Sequence, residues 1–243
     1  MCTVTIIRTR AGLRLVSARD EQHARPRSIP PASFDAQGVR AIAPIDPQGG
    51  GTWIGVNARG WAVTLLNRNP PDRSRPTPGS PSRGRLVMAA LGARDERDIE
   101  RAIHAAAEVG TSHFRLIATN GAALIDAEHD SRALNVRATT LGDRPVMFSS
   151  SGLGDERVEP ARRALFDTWF AHAGEELWPD LQDALHAHAW HGAPHLGFNM
   201  LRVDAGTVSL TEVELTPAHV RLRTRHREDS VWGAWLELPR GTA

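Results

Sequence analysis

The sequence predicts an α+β fold in which mainly antiparallel strands form a sheet-on-sheet sandwich covered by helices. Along the 243 residues, predicted elements follow the order strands, two helices, strands, two helices, strands. Helices that occur as consecutive pairs between groups of strands favour a layered architecture over alternating βαβ units. No internal repeat is visible, and the length is sufficient for one large domain with its own core. We therefore expect a single domain over residues 1–243.

Two β-hairpins are predicted in the N-terminal part of the chain. Each consists of two runs of β-branched or alternating residues around a glycine-containing turn, which is typical of paired strands. The runs are CTVTIIR at 2–8 with LRLVSA at 13–18, and TWIGVN at 52–57 with WAVTLL at 61–66. Residues 26–51, between the hairpins, are rich in proline and end in three glycines, so we expect irregular structure there.

A long exposed loop is predicted directly after the second hairpin. Residues 68–84 contain five prolines and several arginines and show no periodicity. The elements on both sides belong to one predicted sheet system, so we expect this segment to be a loop within a domain and not a domain boundary. Loops of this length in compact domains are usually functional or mobile.

The rest of the chain alternates between helical and extended patterns. The second helix has the clearest ends, because Asp95 suits its N-cap and Gly110 follows its last turn. Ile99 and Ile103 share one face of that helix, and the third helix carries a stripe of Leu165, Phe166, Trp169 and Phe170. The predicted helices are 85–92, 95–110, 156–174 and 177–190, and the predicted strands are 113–119, 121–126, 132–137, 144–149, 197–203, 206–214, 218–225 and 231–238.

Composition argues against several classes of function. A formal net charge of +1 does not favour binding to nucleic acid or to an anionic membrane surface. The single cysteine, Cys2, cannot form an internal disulfide, and the charged first 20 residues do not resemble a secretory signal. No segment reaches the roughly 20 apolar residues of a membrane-spanning helix. We therefore expect a cytoplasmic protein without a membrane span or a nucleic-acid partner.

Cys2 stands directly behind the initiator methionine, where a thiol can share a residue with the free α-amino group. If an aminopeptidase removes Met1, Cys2 carries both groups. An α-amine with a pKa near 8 can accept the proton of a thiol with a pKa of about 8.5. Nucleophile and general base then belong to one residue. The sequence therefore predicts an N-terminal nucleophile at Cys2.

Arg19 and Asp20 can supply the partners that this chemistry needs. The first hairpin returns the chain beside Cys2 at SARDE, residues 17–21. An arginine there would lower the pKa of the thiol or bind the substrate, and a carboxylate would hold the ammonium. Successive residues of a strand face opposite sides of the sheet. Arg19 and Asp20 can therefore serve one site only if a strand end or a bulge relaxes this rule. For Glu21, a structural pair with Arg25 is the alternative.

Several segments form an ordered set of motifs: MC at 1–2, RDEQHARP at 19–26, GGTWIGV at 50–56, LN at 66–67, SRGRLV at 82–87 and FSSSGLGDERVEPARRALF at 148–166. This set resembles the NRDE family, also known as the transport and Golgi organisation family. The family's defining tetrapeptide is Asn-Arg-Asp-Glu, followed three residues later by Arg-Pro, and Ala18 here replaces its asparagine. The match is specific over the first 90 residues and loosely covers the whole chain.

The NRDE family is similar to N-terminal-nucleophile hydrolases, especially the choloylglycine and penicillin acylase branch. The resemblance implies a four-layer αββα sandwich, in agreement with the architecture predicted above. It implies Cys2 as the nucleophile, Arg19 as the thiolate-tuning or substrate-binding residue, and Asp20 as the residue that orients the α-amine. The branch also has a G-x-N-x-x-G hairpin ending in LN, which this chain matches at Gly55, Asn57, Gly60 and Asn67.

The implied oxyanion hole combines Asn67, through its backbone N–H, with a second donor. Where the acylase branch has a second asparagine, this chain has Ser149, Ser150 and Ser151, whose hydroxyls can also donate. Trp53 either shapes the substrate site or belongs to the core. For the late-chain arginine of the acylase set, Arg202 and His195 are the candidates.

The resemblance and the chemistry of Cys2 predict hydrolysis of a linear amide, or a thioester, through an acyl-Cys2 intermediate, with a small-molecule acyl substrate and no cofactor or metal. The alternative is a non-catalytic protein that handles lipid, acyl-CoA or haem, and Ala18 fits such a degenerate site. Four histidines, His186, His188, His191 and His195, lie within ten residues. No carboxylate or cysteine completes a known metal-ligand spacing with them, so a solvated helix end is expected. The oligomeric state is not indicated.

Overall fold

The computed structural model describes residues 2–69, 81–130 and 132–241. Its strands are β1 (Cys2–Thr9), β2 (Gly12–Gln22), β3 (Ile29–Ala36), β4 (Val39–Ile45), β5 (Ile54–Asn57), β6 (Ala62–Asn67), β7 (Phe114–Thr119), β8 (Ala123–His129), β9 (Leu134–Thr140), β10 (Val146–Ser149), β11 (Ala205–Leu215), β12 (His219–His226) and β13 (Leu236–Pro239). Its helices are α1 (Gly84–Ala90), α2 (Glu96–Glu108), α3 (Asp155–Phe170) and α4 (Trp178–Ala187), with 3₁₀ turns at Glu175–Leu177 and Pro194–Leu196. In the described ranges, no helix combines the length and apolarity needed to cross a membrane.

The strands form two sheets. The first sheet has six strands in the order β10-β1-β2-β11-β12-β13, and the second has seven in the order β3-β4-β5-β6-β7-β8-β9. Each strand pairs antiparallel with its neighbours in these sheets. The prediction of mainly antiparallel strands is therefore confirmed.

Three hydrophobic cores separate four layers. The inner core joins the two sheets and includes Val4 and Ile54. A second core, with Ile103, lies between the seven-stranded sheet and the helices α1 and α2. A third core, with Ile7 and Phe166, packs α3 and α4 on the six-stranded sheet. Burial of each such side chain stabilises the fold by roughly 1.5–3 kcal/mol. The resulting order of helix, sheet, sheet and helix confirms the αββα sandwich.

Both predicted N-terminal hairpins are confirmed, since β1 pairs with β2 and β5 pairs with β6. Asn57 fixes the turn of the second hairpin, because its side-chain oxygen accepts hydrogen bonds at 3.1 Å from the backbone N–H groups of Arg59 and Trp61. The Asn57 amide donates to the carbonyl oxygens of Leu91 and Ala93 at 3.0 and 2.8 Å. The asparagine of the G-x-N-x-x-G motif therefore docks this hairpin on the end of α1.

The ends of α2 agree with the predicted capping residues. The Asp95 side chain accepts a hydrogen bond of 2.9 Å from the backbone N–H of Asp98, so Asp95 is the N-cap. Ile99 and Ile103 are fully buried, and Gly110 has a φ of 72° just past the helix. A positive φ of this kind strongly favours glycine at a helix C-terminus.

The irregular structure predicted for residues 26–51 is wrong, because this segment contains the β3–β4 hairpin. Pro30 and Pro31 lie in β3, which is an edge strand of its sheet. The pairing of β3 shifts between Ile29 and Ala32. Proline is tolerated at sheet edges and bulges, since an N–H group is not needed there.

Two further strand predictions near the C-terminus need correction. The strand predicted at 197–203 is absent, and only Leu201 forms an isolated bridge, to Gly206. Backbone hydrogen bonds hold this segment instead, from Asn199 to His188 and from Leu201 to Pro194. Of the strand predicted at 231–238, only its end belongs to β13. The predicted exposed loop at 68–84 falls mostly on residues 70–80, which lie outside the described ranges, and Gly84 already begins α1.

Candidate active site

A cavity of about 120 Å³ opens at the end of the sandwich where β1 begins and where β2 and β6 end. The ladder between β1 and β2 places Cys2 directly opposite Arg19. Asn67 approaches from the second sheet as the last residue of β6. The structure therefore brings five of the predicted site residues to one cavity: Cys2, Arg19, Asp20, Trp53 and Asn67.

Cys2 is held at the base of this cavity. Only 5% of the Cys2 surface is exposed. The backbone N–H of Cys2 donates to Ser150 Oγ at 3.2 Å, and the Cys2 carbonyl accepts from the Ser150 N–H at 2.9 Å. Burial raises the pKa of the Cys2 thiol, and the charge of Asp20 adds to this, while the charge of Arg19 acts in the opposite direction. The thiol is therefore protonated at neutral pH and needs a nearby base.

Arg19 lies beside Cys2 with its hydrogen-bond donors available. The guanidinium is 4.3 Å from the centre of the Trp53 ring, which holds it in a stacked position. Its nearest carboxylates, Glu21 and Asp46, are both 3.7 Å away, which is too long for a hydrogen bond. In the described ranges the side chain of Arg19 makes no hydrogen bond, although it is only 7% exposed. A buried guanidinium of this kind is suited to bind an anionic or carbonyl group.

Arg25 accounts for the two carboxylates near Arg19. Arg25 hydrogen-bonds Asp46, and its Nε lies 3.4 Å from Glu21, in agreement with the alternative of a structural pair between Glu21 and Arg25. Burial opposes ionisation of Asp46, but the hydrogen bond and charge of Arg25 outweigh it and lower the pKa of that carboxyl. Asp46 is therefore an anion that is already engaged at neutral pH.

Asp20 is buried behind Cys2, with 1% of its surface exposed. Its carboxylate accepts a hydrogen bond of 2.6 Å from Thr207 and lies 3.6 Å from the guanidinium of Arg162. Burial raises the pKa of Asp20, and the charge of Arg162 and the Thr207 hydrogen bond oppose that rise. The register of β11 shifts between Thr207 and Ser209, opposite this residue. At this irregularity near the end of β2, three successive residues line the same cavity: Arg19, Asp20 and Glu21.

Arg162 is the site residue that the sequence analysis missed. It is 1% exposed and projects from α3. Its guanidinium donates to Thr3 Oγ1 at 2.5 Å and to Ser149 Oγ at 3.0 Å. Val158, Arg162 and Phe166 are buried at a spacing of four residues, so an arginine interrupts the core-facing side of this helix. That interruption was the available signal, because a buried arginine requires a partner.

The three serines considered as oxyanion donors do not line the described cavity. Ser149 lies opposite Thr3 in the ladder, and its hydroxyl contacts Arg162 on the helix-covered side of the sheet. Ser150 Oγ accepts the hydrogen bond from the backbone of Cys2. The backbone N–H of Ser151 donates to Asp155 at 2.7 Å, at the start of α3. Of the three, Ser150 is the one in direct contact with the predicted nucleophile.

One wall of the cavity depends on close backbone packing. A Cβ added at Gly51 would lie 2.5 Å from the carbonyl carbon of Gly84, so the two segments can meet only without a side chain there. Thr52, which follows, lines the cavity together with Trp53. Trp53 is 6% exposed, and its indole Nε1 is buried without a hydrogen-bond partner in the described part of the chain. Trp53 thus combines both expected roles, since it belongs to the inner core and also lines the site.

The other residues considered in the sequence lie away from the cavity. Arg202 pairs with Asp204 at 3.0 Å, and His195 is exposed. Ala18 is fully buried opposite Thr3. The four clustered histidines diverge: His186 is buried and His188 packs edge-on against Trp190, while His191 and His195 are exposed. Across residues 2–69, 81–130 and 132–241, no three His, Cys, Asp or Glu side chains are grouped to hold a metal ion.

Comparison with known proteins identifies related sequences and folds. The family described as TANGO2, Transport and Golgi organisation 2, matches residues 1–191. No curated protein matches the chain by sequence.

Solved structures with a similar fold include two hydrolases. Two variants of the conjugated bile acid hydrolase from Clostridium perfringens align with TM-scores of 0.58 and 0.55 at 11% and 12% identity. These alignments cover 98% and 97% of this chain and 92% of each hydrolase. The N-acylethanolamine-hydrolyzing acid amidase (NAAA) ortholog from Caenorhabditis elegans aligns with a TM-score of 0.53 at 12% identity, covering 87% of this chain and 92% of the amidase. At these identities the similarity shows the N-terminal-nucleophile hydrolase fold.

Proposed function

The chain belongs to the Transport and Golgi organisation 2 family, and we propose that it is an N-terminal cysteine hydrolase that cleaves a linear amide or thioester after removal of Met1. One observation carries the proposal: Cys2 lies opposite Arg19 in the ladder, at a polar cavity that Asp20 and Asn67 also line. The fold supports it, because similar solved structures are named as a bile acid hydrolase and an acid amidase.

The first proposed step activates the thiol. The backbone N–H of Cys2 donates a hydrogen bond to Ser150 Oγ. Removal of Met1 converts this nitrogen into a free amine. That amine takes the proton of the Cys2 thiol, which burial keeps protonated until then. Arg19 stabilises the thiolate by its charge, and Asp20 stabilises the ammonium.

The second step forms the acyl-enzyme. The thiolate attacks the substrate carbonyl carbon, and the carbonyl π electrons move to the oxygen. Asn67, which lines the cavity, donates a hydrogen bond to this oxyanion. When the tetrahedral intermediate collapses, the C–N or C–S bond breaks, and the leaving group takes the proton from the ammonium. An acyl thioester on Cys2 remains.

The third step hydrolyses the acyl-enzyme with the same groups. A water molecule gives a proton to the free amine and attacks the thioester carbonyl. Collapse breaks the C–S bond, and the carboxylic acid product leaves. Cys2 recovers its proton, so the amine acts as base in both halves of the reaction.

Polar substrates fit this cavity better than lipid chains. Arg19, Glu21 and Asp46 are among its charged lining residues, whereas Trp53 and Leu65 are its larger apolar members. Pockets that bind apolar ligands are lined mainly by hydrophobic side chains. We therefore prefer hydrolysis of a small polar amide to the alternative of lipid, acyl-CoA or haem handling. Ligand binding that survives Cys2→Ala, without turnover in the parent protein, would favour the alternative.

Cysteine labelling tests the assignment of the nucleophile. Iodoacetamide should modify Cys2 of the native protein, and Arg19→Met should slow this reaction about tenfold, because the cation that favours the thiolate is lost. Arg59→Met, at a partly exposed position on the turn of the second hairpin, is the matched control and should leave the rate unchanged. Equal rates in Arg19→Met and the parent protein would contradict the proposed role of Arg19.

We also place the protein in the cytoplasm. The observation that supports this location is a single cysteine among 243 residues, which leaves no internal disulfide to maintain. Fractionation of the native cells tests this part of the proposal, and recovery in a membrane or secreted fraction would refute it.

A further inference from the structure

A second cavity adjoins the active-site cavity at Arg19. It measures about 210 Å³ and shares Arg19, Glu21 and Arg25 with the first cavity. Its other walls come from the segment that follows β2, from β11 and from the end of β12, and they include His23, His226 and Arg227. We call it the Arg19–His226 cavity.

The sheet sets the distance between the two cavities. In the ladders Cys2 lies opposite Arg19, Arg19 opposite Ser209, and Ser209 opposite His226. Neighbouring strands are about 4.8 Å apart, so Arg19 and His226 are separated by roughly 10 Å, and Cys2 and His226 by roughly 14 Å. A group bound between Arg19 and His226 would therefore lie roughly 5–10 Å from a carbonyl at Cys2.

Hydrogen-bond donors converge on this cavity. A Cβ added at Gly206 would lie 3.1 Å from the His23 ring and 3.2 Å from the Arg227 guanidinium, so both groups meet above that glycine. Arg227 is an exposed residue, and within the described residues its side chain has no hydrogen bond or ion pair. His226 is 7% exposed, and its Nε2 lies 3.2 Å from Ser28 Oγ.

Two carboxylates near the cavity, Glu21 and Asp229, already have arginine partners. Glu21 contacts Arg25 at 3.4 Å, and Asp229 is bonded to Arg27 at 2.6 Å. Glu228 lies 3.9 Å from the same Arg27, which is too far for a hydrogen bond, and its side chain is 85% exposed. Among the arginines that line this cavity, Arg19 and Arg227 therefore have no hydrogen bond to a carboxylate in the described residues, whereas Arg25 and Arg27 do.

We propose that the Arg19–His226 cavity is a subsite for a carboxylate of the substrate whose scissile carbonyl lies at Cys2. Two guanidinium groups suit a carboxylate because each can donate paired hydrogen bonds to it. The substrate class is then an amide or thioester that carries a carboxylate a few bonds from the bond that breaks. This inference rests on the proposed function of the site, which it extends.

A pair of alkylating probes tests the subsite. The acid 4-(bromoacetamido)butanoate and its methyl ester differ in the negative charge and one methyl group. The Cys2 sulfur displaces bromide from either one and forms a C–S bond. At low probe concentration the acid should label Cys2 at least tenfold faster than the ester, since hydrogen bonds to a charged group are stronger than those to a neutral one. Arg227→Gln should reduce this ratio severalfold. Arg97→Gln, an exposed position on α2, is the control and should leave the ratio unchanged.

The outcomes distinguish failure of the subsite from failure of the proposed nucleophile. Equal labelling by acid and ester, or an unchanged ratio in Arg227→Gln, would overturn the subsite while leaving Cys2 as the nucleophile. If neither probe labels Cys2, titration calorimetry of the Cys2→Ala protein with 4-acetamidobutanoate and its methyl ester decides. Binding of the acid alone, lost in Arg227→Gln, would support the subsite without the hydrolase, and equal or absent binding would reject the subsite.

Discussion

Replacement of Arg162 by methionine should destabilise the protein strongly and in a pH-dependent way. Arg162 is the counter-charge of the buried Asp20 at 3.6 Å, and its guanidinium also donates to Thr3, Ser149 and the carbonyl oxygens of Leu196 and Gly197. Removing one partner of a buried ion pair typically costs about 3–5 kcal/mol. For a chain of this size, that loss corresponds to a decrease in Tm of roughly 6–20 °C.

The sign of the pH dependence follows from Asp20. Burial already raises its pKa, and Arg162 is the largest opposing influence. In Arg162→Met the folded-state pKa of Asp20 therefore rises further above its unfolded value of about 3.9. A carboxyl with a raised pKa contributes stability below its unfolded pKa and loses it as the pH increases. The deficit of the variant relative to the parent should therefore be smallest near pH 4 and grow towards neutral pH.

Urea unfolding of matched variants measures this effect. The neighbouring Arg163→Met is the control, because Arg163 is 37% exposed and pairs with Glu159 at 3.2 Å. That change should cost about 1 kcal/mol or less. Asp20→Asn in the Arg162→Met background should remove the added pH dependence. Equal costs at 162 and 163, or a deficit that shrinks as the pH rises, would refute the assigned ion pair.

Two other predictions concern the packing around the site. Gly51→Ala should lower the free energy of unfolding by roughly 1–3 kcal/mol, because the added Cβ would lie 2.5 Å from Gly84, whereas Gly142→Ala, with open space around it, should have little effect in the same urea titration. Burial and the charges of Arg14 and Arg162 lower the pKa of His186 to about 3, so its stabilising effect is present above pH 6.5 and is lost as the pH falls. Between pH 7 and 5 the free energy of unfolding of the parent should fall by about 2 kcal/mol relative to that of His186→Gln. The control His195→Gln, at an exposed position, should behave like the parent. Parallel curves of unfolding free energy against pH for the parent and His186→Gln would contradict this assignment.

The fold was predictable where local patterns and tertiary packing agree. The β1–β2 and β5–β6 hairpins, the capped helix α2 and the two helix pairs all have strong local signals. The β3–β4 hairpin could not be predicted in this way, because prolines hide an edge strand that the neighbouring β4 stabilises. The apolar segment 197–203 gave the opposite error, since packing against the end of α4 replaces strand pairing.

The candidate site was predictable only for residues near one another in sequence or carried by a motif. Cys2, Arg19 and Asp20 follow from the first hairpin, and Asn67 follows from the second. Arg162 is 142 positions beyond Asp20, and no local pattern connects them. Side chains alternate between the two faces of a strand, and Ser149 shares a sheet face with Thr3 and not with Cys2. Ser149 therefore faces Arg162 and not the cavity.

We propose Cys2, freed of Met1, as the nucleophile of this cavity. Intact mass of the purified native protein, measured before and after acid-quenched reaction with 4-nitrophenyl acetate, tests it most directly. We expect a chain that lacks Met1 and gains one acetyl group, which maps to Cys2 and does not form in Cys2→Ala. A chain that retains Met1, or an acetyl group that persists in Cys2→Ala, would contradict it.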